Sequence, residues 1–143
     1  REAFGKPIAS LGKNIEVIAK ARIEIESMRR MVLTAAKAMD ELGNEAARVW
    51  VSAVKAMVPI RVCHIIDEAI QFHGGTGVSQ WTPLADMYTS QRTLRLADGP
   101  DEVHWFVVGR AELRRWETEG GVKYDPKVSY YSEDDDSVLT ARI

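Results

Sequence analysis

Apolar side chains at alternating spacings of three and four run from Ile8 to Met39, and that period leaves this part of the chain one regular structure. The series is Ile8, Leu11, Ile15, Ile18, Arg22, Ile25, Arg29, Val32, Ala36 and Met39. It draws one stripe down a helix. Two arginines interrupt it, so it reads as a bundle seam with polar breaks rather than a clean coiled coil. Ile15, Ile23 and Ile25 are β-branched, which a helix tolerates where packing supplies stability. Lys13, Glu16, Lys20, Glu24 and Lys37 are expected on the opposite, solvated face. Leu42-Gly43-Asn44 is a stop and restart: Gly43 suits the left-handed position after a helix, and Asn44 can cap the next one.

A second helix is expected from about Glu45 to about Phe72. Trp50, Val54, Met57, Val58, Val62, Ile65, Ile66, Ala69 and Ile70 are its apolar positions. Pro59 lies inside it and costs a hydrogen bond, which predicts a kink. Gly74-Gly75-Thr76-Gly77 ends it, for a turn or for close backbone approach. Pro83 suits the first turn of a third helix, to about Ala97. Asp101 and Glu102 then place negative charge at the start of a fourth, favourable against its dipole. Val103, Phe106, Val107, Arg110 and Leu113 continue it to about Glu117. Nothing reads as a strand ladder, and no repeat is visible. The expected fold is all-α, an up-down helical bundle over 1–118, followed by a polar, acidic, irregular tail over 119–143. That tail either drapes through Tyr124, Tyr130 and Tyr131 or moves freely.

Composition narrows the function. The chain has 143 residues, 45% of them hydrophobic, enough for one domain with a core. A net charge of −2, with basic and acidic residues interleaved, argues against nucleic-acid binding. The lone Cys63 excludes an internal disulfide and a cysteine-only zinc site, and its apolar surroundings predict a buried, inert thiol. No metal site is expected. No stretch reads as long and apolar enough to span a bilayer. The chain starts at Arg1 rather than Met, so it reads as a piece of a longer protein, and a missing targeting signal says nothing.

The chemistry concentrates in Leu94-Arg95-Leu96-Ala97-Asp98-Gly99-Pro100-Asp101-Glu102-Val103-His104. Asp98 stands directly before a Gly-Pro turn, where one helix stops and the next begins. A carboxylate there can reach into a cleft while the helices behind hold it still. Taken with Gln71-Phe72-His73-Gly74-Gly75-Thr76-Gly77 and Arg1-Glu2-Ala3-Phe4-Gly5-Lys6-Pro7, this segment resembles the C-terminal helical domain of the acyl-CoA dehydrogenases. The resemblance runs from Arg1 to about Leu113. It implies a bundle whose first helix lies upstream of Arg1.

The resemblance also implies roles. Asp98 stands where most of that family carries a Glu that removes the proton next to a thioester carbonyl; one branch has Asp in just this context. The Asp98 N–H would help hold the thioester carbonyl, with Gly99 beside it. Arg1, Phe4, Gln71, Gly74 and Gly75 match positions that reach the nucleotide half of FAD held mainly by the neighbouring subunit; an Arg fork suits a pyrophosphate. Pro100 and Glu102 fall where other members contact the flavin with Thr and Gln. Gly12 replaces a Gln that elsewhere touches the nucleotide, so that contact is not carried over. His73 is read as a non-catalytic residue, and Arg92 and Arg95 as solvated helix charges rather than a carboxylate clamp or part of a CoA path.

The implied protein is an FAD-dependent dehydrogenase of acyl-CoA in fatty-acid β-oxidation, a homodimer or homotetramer. Its electron acceptor would be an electron-transferring flavoprotein or oxygen. Ala141-Arg142-Ile143 resembles a peroxisomal address and favours peroxisome over mitochondrion. Two other readings remain: a nitroalkane-oxidase-like flavin oxidase, and a non-enzymatic helical assembly module.

Overall fold

The computed structural model describes residues 1–119; the acidic tail and Ala141-Arg142-Ile143 lie outside them. The described chain is all-α apart from one small hairpin. The helices are α1 (Gly12–Ala46), α2 (Arg48–His73), α3 (Leu84–Thr93) and α4 (Asp101–Glu119). Helix α2 is the hub, packed by α1, α3 and α4. Its central place explains a correction. By length and composition Arg48–Val78 is apolar enough to cross a membrane, contrary to the sequence reading. A helix covered on several sides by neighbours has little need of a polar face.

The hairpin was not expected. Strands β1 (Glu2–Ala3) and β2 (Lys6–Pro7) pair antiparallel, with Glu2 opposite Pro7 and Ala3 opposite Lys6. Two residues per strand are too few to show alternation. The turn residues Phe4 and Gly5 both have positive φ, +56° and +73°, the pattern of the tight hairpin turn that matches strand twist. The Ile8 N–H then donates to the Arg1 carbonyl at 3.0 Å, and the Asn14 side-chain amide donates to the Ile8 carbonyl at 2.7 Å. These bonds tie the hairpin to the start of α1 through a 3-10 turn at Ile8–Ser10.

The face of α1 was misread. The residues turned inward are Val17, Ala21, Glu24, Met28, Met31, Ala35 and Ala38. Arg61 of α2 bridges to Glu24 at 3.0 Å across that contact. From Ile15 onward the predicted seam looks outward instead, while Ile8 and Leu11 before α1 are half-buried: Ile15, Ile18, Ile25, Val32 and Met39 are all exposed, Ile15 to 56%. Small alanines let two helices approach closely, and a pattern weighted toward bulky side chains overlooks them.

The helix ends match in part. Gly43 does take a left-handed, non-helical conformation (φ +79°), but α2 starts at Arg48, and Ala47, not Asn44, stands at its N-cap. Pro59 is buried inside an uninterrupted α2. Helix α3 ends at Thr93, and Leu94–Ala97 continue as turns. Cys63 is free and buried as expected, and burial pushes its thiol pKa up.

Candidate active site

Asp98 sits in the turn between α3 and α4 with φ +55°, and Gly99 follows with φ +100°. A left-handed residue other than glycine is uncommon, and Asp is among the types that accept it. Asp98 is exposed. Among the described residues no group bonds its carboxylate, and no acceptor takes its N–H or that of Gly99. Asp98 thus presents an acceptor and a donor side by side.

Its carbonyl, by contrast, is held. His104 on α4 places Nε2 at 3.2 Å from the Asp98 carbonyl oxygen, and Nδ1 at 3.3 Å from the hydroxyl of Ser52 on α2, which is 4% exposed. Lys55, also on α2, donates from one ammonium to the carbonyls of Leu94 (2.5 Å), Ala97 (2.6 Å) and Gly99 (3.2 Å). Sequence reading missed Lys55 and Ser52 and gave His104 no role. A Gly-Pro turn shows locally, whereas Lys55 lies 39 to 44 positions from the carbonyls it grips, and Ser52 lies 52 positions from the His104 it seats.

A second brace flanks the turn. Arg95 Nε donates to Asp101 Oδ2 at 2.6 Å, and the Asp101 N–H donates to the Arg95 carbonyl at 3.2 Å. Asp101, the first residue of α4, is only 6% exposed. Arg95 is therefore no solvated helix charge: a buried carboxylate needs a partner. That bond holds the Arg95 guanidinium pKa above its ordinary value. Arg92 is likewise not free in solvent, since one of its guanidinium nitrogens is buried. Pro100 and Glu102, between these braces, are exposed.

The remaining predicted residues form a separate cluster. A groove of about 300 Å³ is lined by Arg1, Phe4 and Gln71, among others. A Cβ at Gly74 would lie 2.5 Å from an Arg1 guanidinium nitrogen, which can swing aside, whereas the φ of +59° itself favours glycine there. A Cβ at Gly75 would meet nothing; the fold does not demand glycine at that position. Gly77, by contrast, is structural: its Cβ would come within 2.6 Å of the Ile70 carbonyl oxygen. Phe4 projects from the hairpin tip, 91% exposed. His73 turns its Nδ1 back to the Ala69 carbonyl at 2.8 Å.

The structure thus divides the predicted residues between the two ends of α2. Lys55 marks one end and Gln71 the other, roughly 24 Å apart at the rise of an α-helix. One end offers a carboxylate beside outward N–H groups; the other offers a guanidinium, an amide and an open aromatic ring. The two clusters lie in separate places on one helical domain. The sequence pattern of the family described as "Acyl-CoA dehydrogenase, C-terminal domain" matches residues 1–113. The chain belongs to that family.

The chain is 52% identical over 114 residues to rat acyl-CoA dehydrogenase family member 11, covering 80% of this chain and 15% of the rat protein. It is 47% identical over 115 residues to FadE2 of Mycobacterium tuberculosis, named as an acyl-CoA dehydrogenase, covering 80% of this chain and 28% of FadE2. A solved structure from Mycobacterium abscessus, assigned to the acyl-CoA dehydrogenases, superimposes with a TM-score of 0.78 at 50% identity, covering 81% of this chain and 28% of the other. The chain therefore spans less than a third of the length of these relatives.

Proposed function

We propose that this chain is the C-terminal part of an FAD-dependent acyl-CoA dehydrogenase that converts an acyl-CoA to the trans-2-enoyl-CoA. The observation that carries this reading is Asp98 itself, a left-handed residue with its carboxylate and N–H both unengaged, in a member of this family. The carboxylate takes the α-proton. The Asp98 N–H donates to the thioester carbonyl and so stabilises the negative charge that develops on its oxygen. A flavin bound beside this site would supply the hydride acceptor for the β-carbon. Substrate and the rest of the subunit would exclude water from Asp98.

The second cluster suits the nucleotide half of FAD. Arg1 presents a planar fork for a pyrophosphate, Gln71 adds an amide, and Phe4 offers an exposed ring. Gly74 lets the Arg1 guanidinium lie against the backbone, and Gly75 leaves open space. Pro100, having no N–H, can contribute only its carbonyl, and Glu102 only an acceptor. The distance between the two clusters supports a homo-oligomer in which the Arg1 end serves the neighbour's flavin. An electron-transferring flavoprotein or oxygen would reoxidise it.

Anaerobic titration of the full-length protein with butanoyl-, octanoyl-, hexadecanoyl- and docosanoyl-CoA tests the reading through the flavin's visible absorbance. Bleaching that vanishes in Asp98→Asn is the expected result. Flavin that stays oxidised with every acyl-CoA but bleaches with nitroethane would replace the dehydrogenase by an oxidase. A folded full-length protein that binds no flavin would leave an assembly module.

A further inference from the structure

We infer that Lys55 and His104 are positioning residues that aim two consecutive backbone N–H groups, those of Asp98 and Gly99, at the substrate's carbonyl oxygen. This rests on the reading of Asp98 as the base. An ammonium has three donors, and Lys55 uses all of them, on the carbonyls of Leu94, Ala97 and Gly99. The bland role for such a lysine is to satisfy free carbonyls where a helical stretch ends. Leu94 and Ala97 fit that role. Gly99 does not, because it lies past the helical turns and on the far side of Asp98. Lys55 therefore brackets Asp98, and His104 holds the carbonyl between.

Peptide planarity turns this grip into an aim. In a trans peptide the C=O and the following N–H point in opposite directions, and no peptide bond of the described chain is cis. Lys55 on the Ala97 carbonyl drives the Asp98 N–H away from α2. His104 on the Asp98 carbonyl drives the Gly99 N–H away in the same manner. The third carbonyl, that of Gly99, is followed by Pro100, which has no N–H. Two successive outward N–H groups make an anion-binding concavity, beside the carboxylate that would take the proton. Two donors fixed before reaction are worth most where charge appears only in the transition state.

His104 is itself seated. Its second ring nitrogen faces the buried Ser52 hydroxyl, one turn of α2 before Lys55. Gly99 is as much a part of the fit as the side chains: a Cβ there would press on His104 Nε2 at 3.2 Å.

The test uses the full-length, flavin-loaded protein, mixed anaerobically with the acyl-CoA that bleaches it fastest. The flavin-reduction rate at saturating substrate and the apparent Kd are read separately for Lys55→Met, Lys55→Arg, His104→Phe and Asp98→Asn. In Lys55→Met and His104→Phe the saturating rate should fall on the order of 100-fold, with flavin content kept and Kd changed far less. Lys55→Arg should recover part of the rate. The double variant should lose much less than the product of the two single losses, because both act on one loop. Loss confined to flavin content or to Tm, with the saturating rate intact, would overturn the inference. Should Lys55→Met not fold, His104→Phe decides alone, since it spares the lysine's bonds; a wild-type rate there sinks the idea. Asp98→Asn separates the two claims. Undiminished bleaching in that variant refutes the base, whereas a dead Asp98→Asn beside fully active Lys55→Met and His104→Phe refutes only the positioning.

Discussion

At Asp98 and Phe4 the backbone enters the left-handed region, with φ +55° and +56°. For a bulky residue such as Phe the left-handed region is a true outlier, costing about 1–2 kcal/mol. Phe4 gains no burial in return. Strain without packing points to a contact outside the chain. Phe4→Asn should therefore raise or keep the Tm, since Asn suits the turn, while the full-length protein loses FAD more readily on dilution. A variant that retains FAD like wild type would make Phe4 an ordinary turn residue. The residues that could be found from sequence were those with a local signature: Asp98 before Gly-Pro, and glycines after a helix. Lys55, Ser52 and His104 carried no such mark. A lysine or histidine on a helix looks alike whether it faces water or a carbonyl, and only the fold brings the carbonyl to it.

At the scale of elements, the Arg95–Asp101 brace closes the turn that joins α3 to α4. Asp101 is buried while Arg95 is about two-thirds covered, so the pair is shielded from solvent on one side and partly screened on the other. Asp101→Ala should cost about 2 kcal/mol, a charge-assisted hydrogen bond plus a partner left behind, visible as a lower urea midpoint with little change in m. An unchanged midpoint would show the pair to be ornamental. Helix existence was legible because periodicity runs over many turns. Helix orientation was not, because α1 is apolar on two sides. Val17, Ala21, Met28, Ala35 and Ala38 meet α2, while the larger Ile15, Ile18 and Ile25 make the stronger pattern and face out. The hairpin escaped notice for the opposite reason: four paired residues are shorter than any period.

Across the whole molecule, the outward row on α1 is the largest debt this chain carries in isolation. Ile15, Ile18, Ile25, Val32 and Met39 make an apolar row, broken by Arg22 and Arg29, of a kind that monomers seldom leave bare. Residues 1–119 alone should therefore self-associate with rising concentration, by sedimentation velocity. Ile18→Glu with Ile25→Lys should shift them toward monomer without lowering helix content. A wild-type chain that stays monomeric at high concentration would refute this. The layout of α2 has a different consequence. The two clusters hang from one helix, so their relative bearing is set by a count of residues rather than by their identity. One residue inserted between Lys55 and Gln71 would turn one end by about 100° against the other, swinging Gln71 off its groove while Asp98 stayed in register. The length of that stretch is phase-locked.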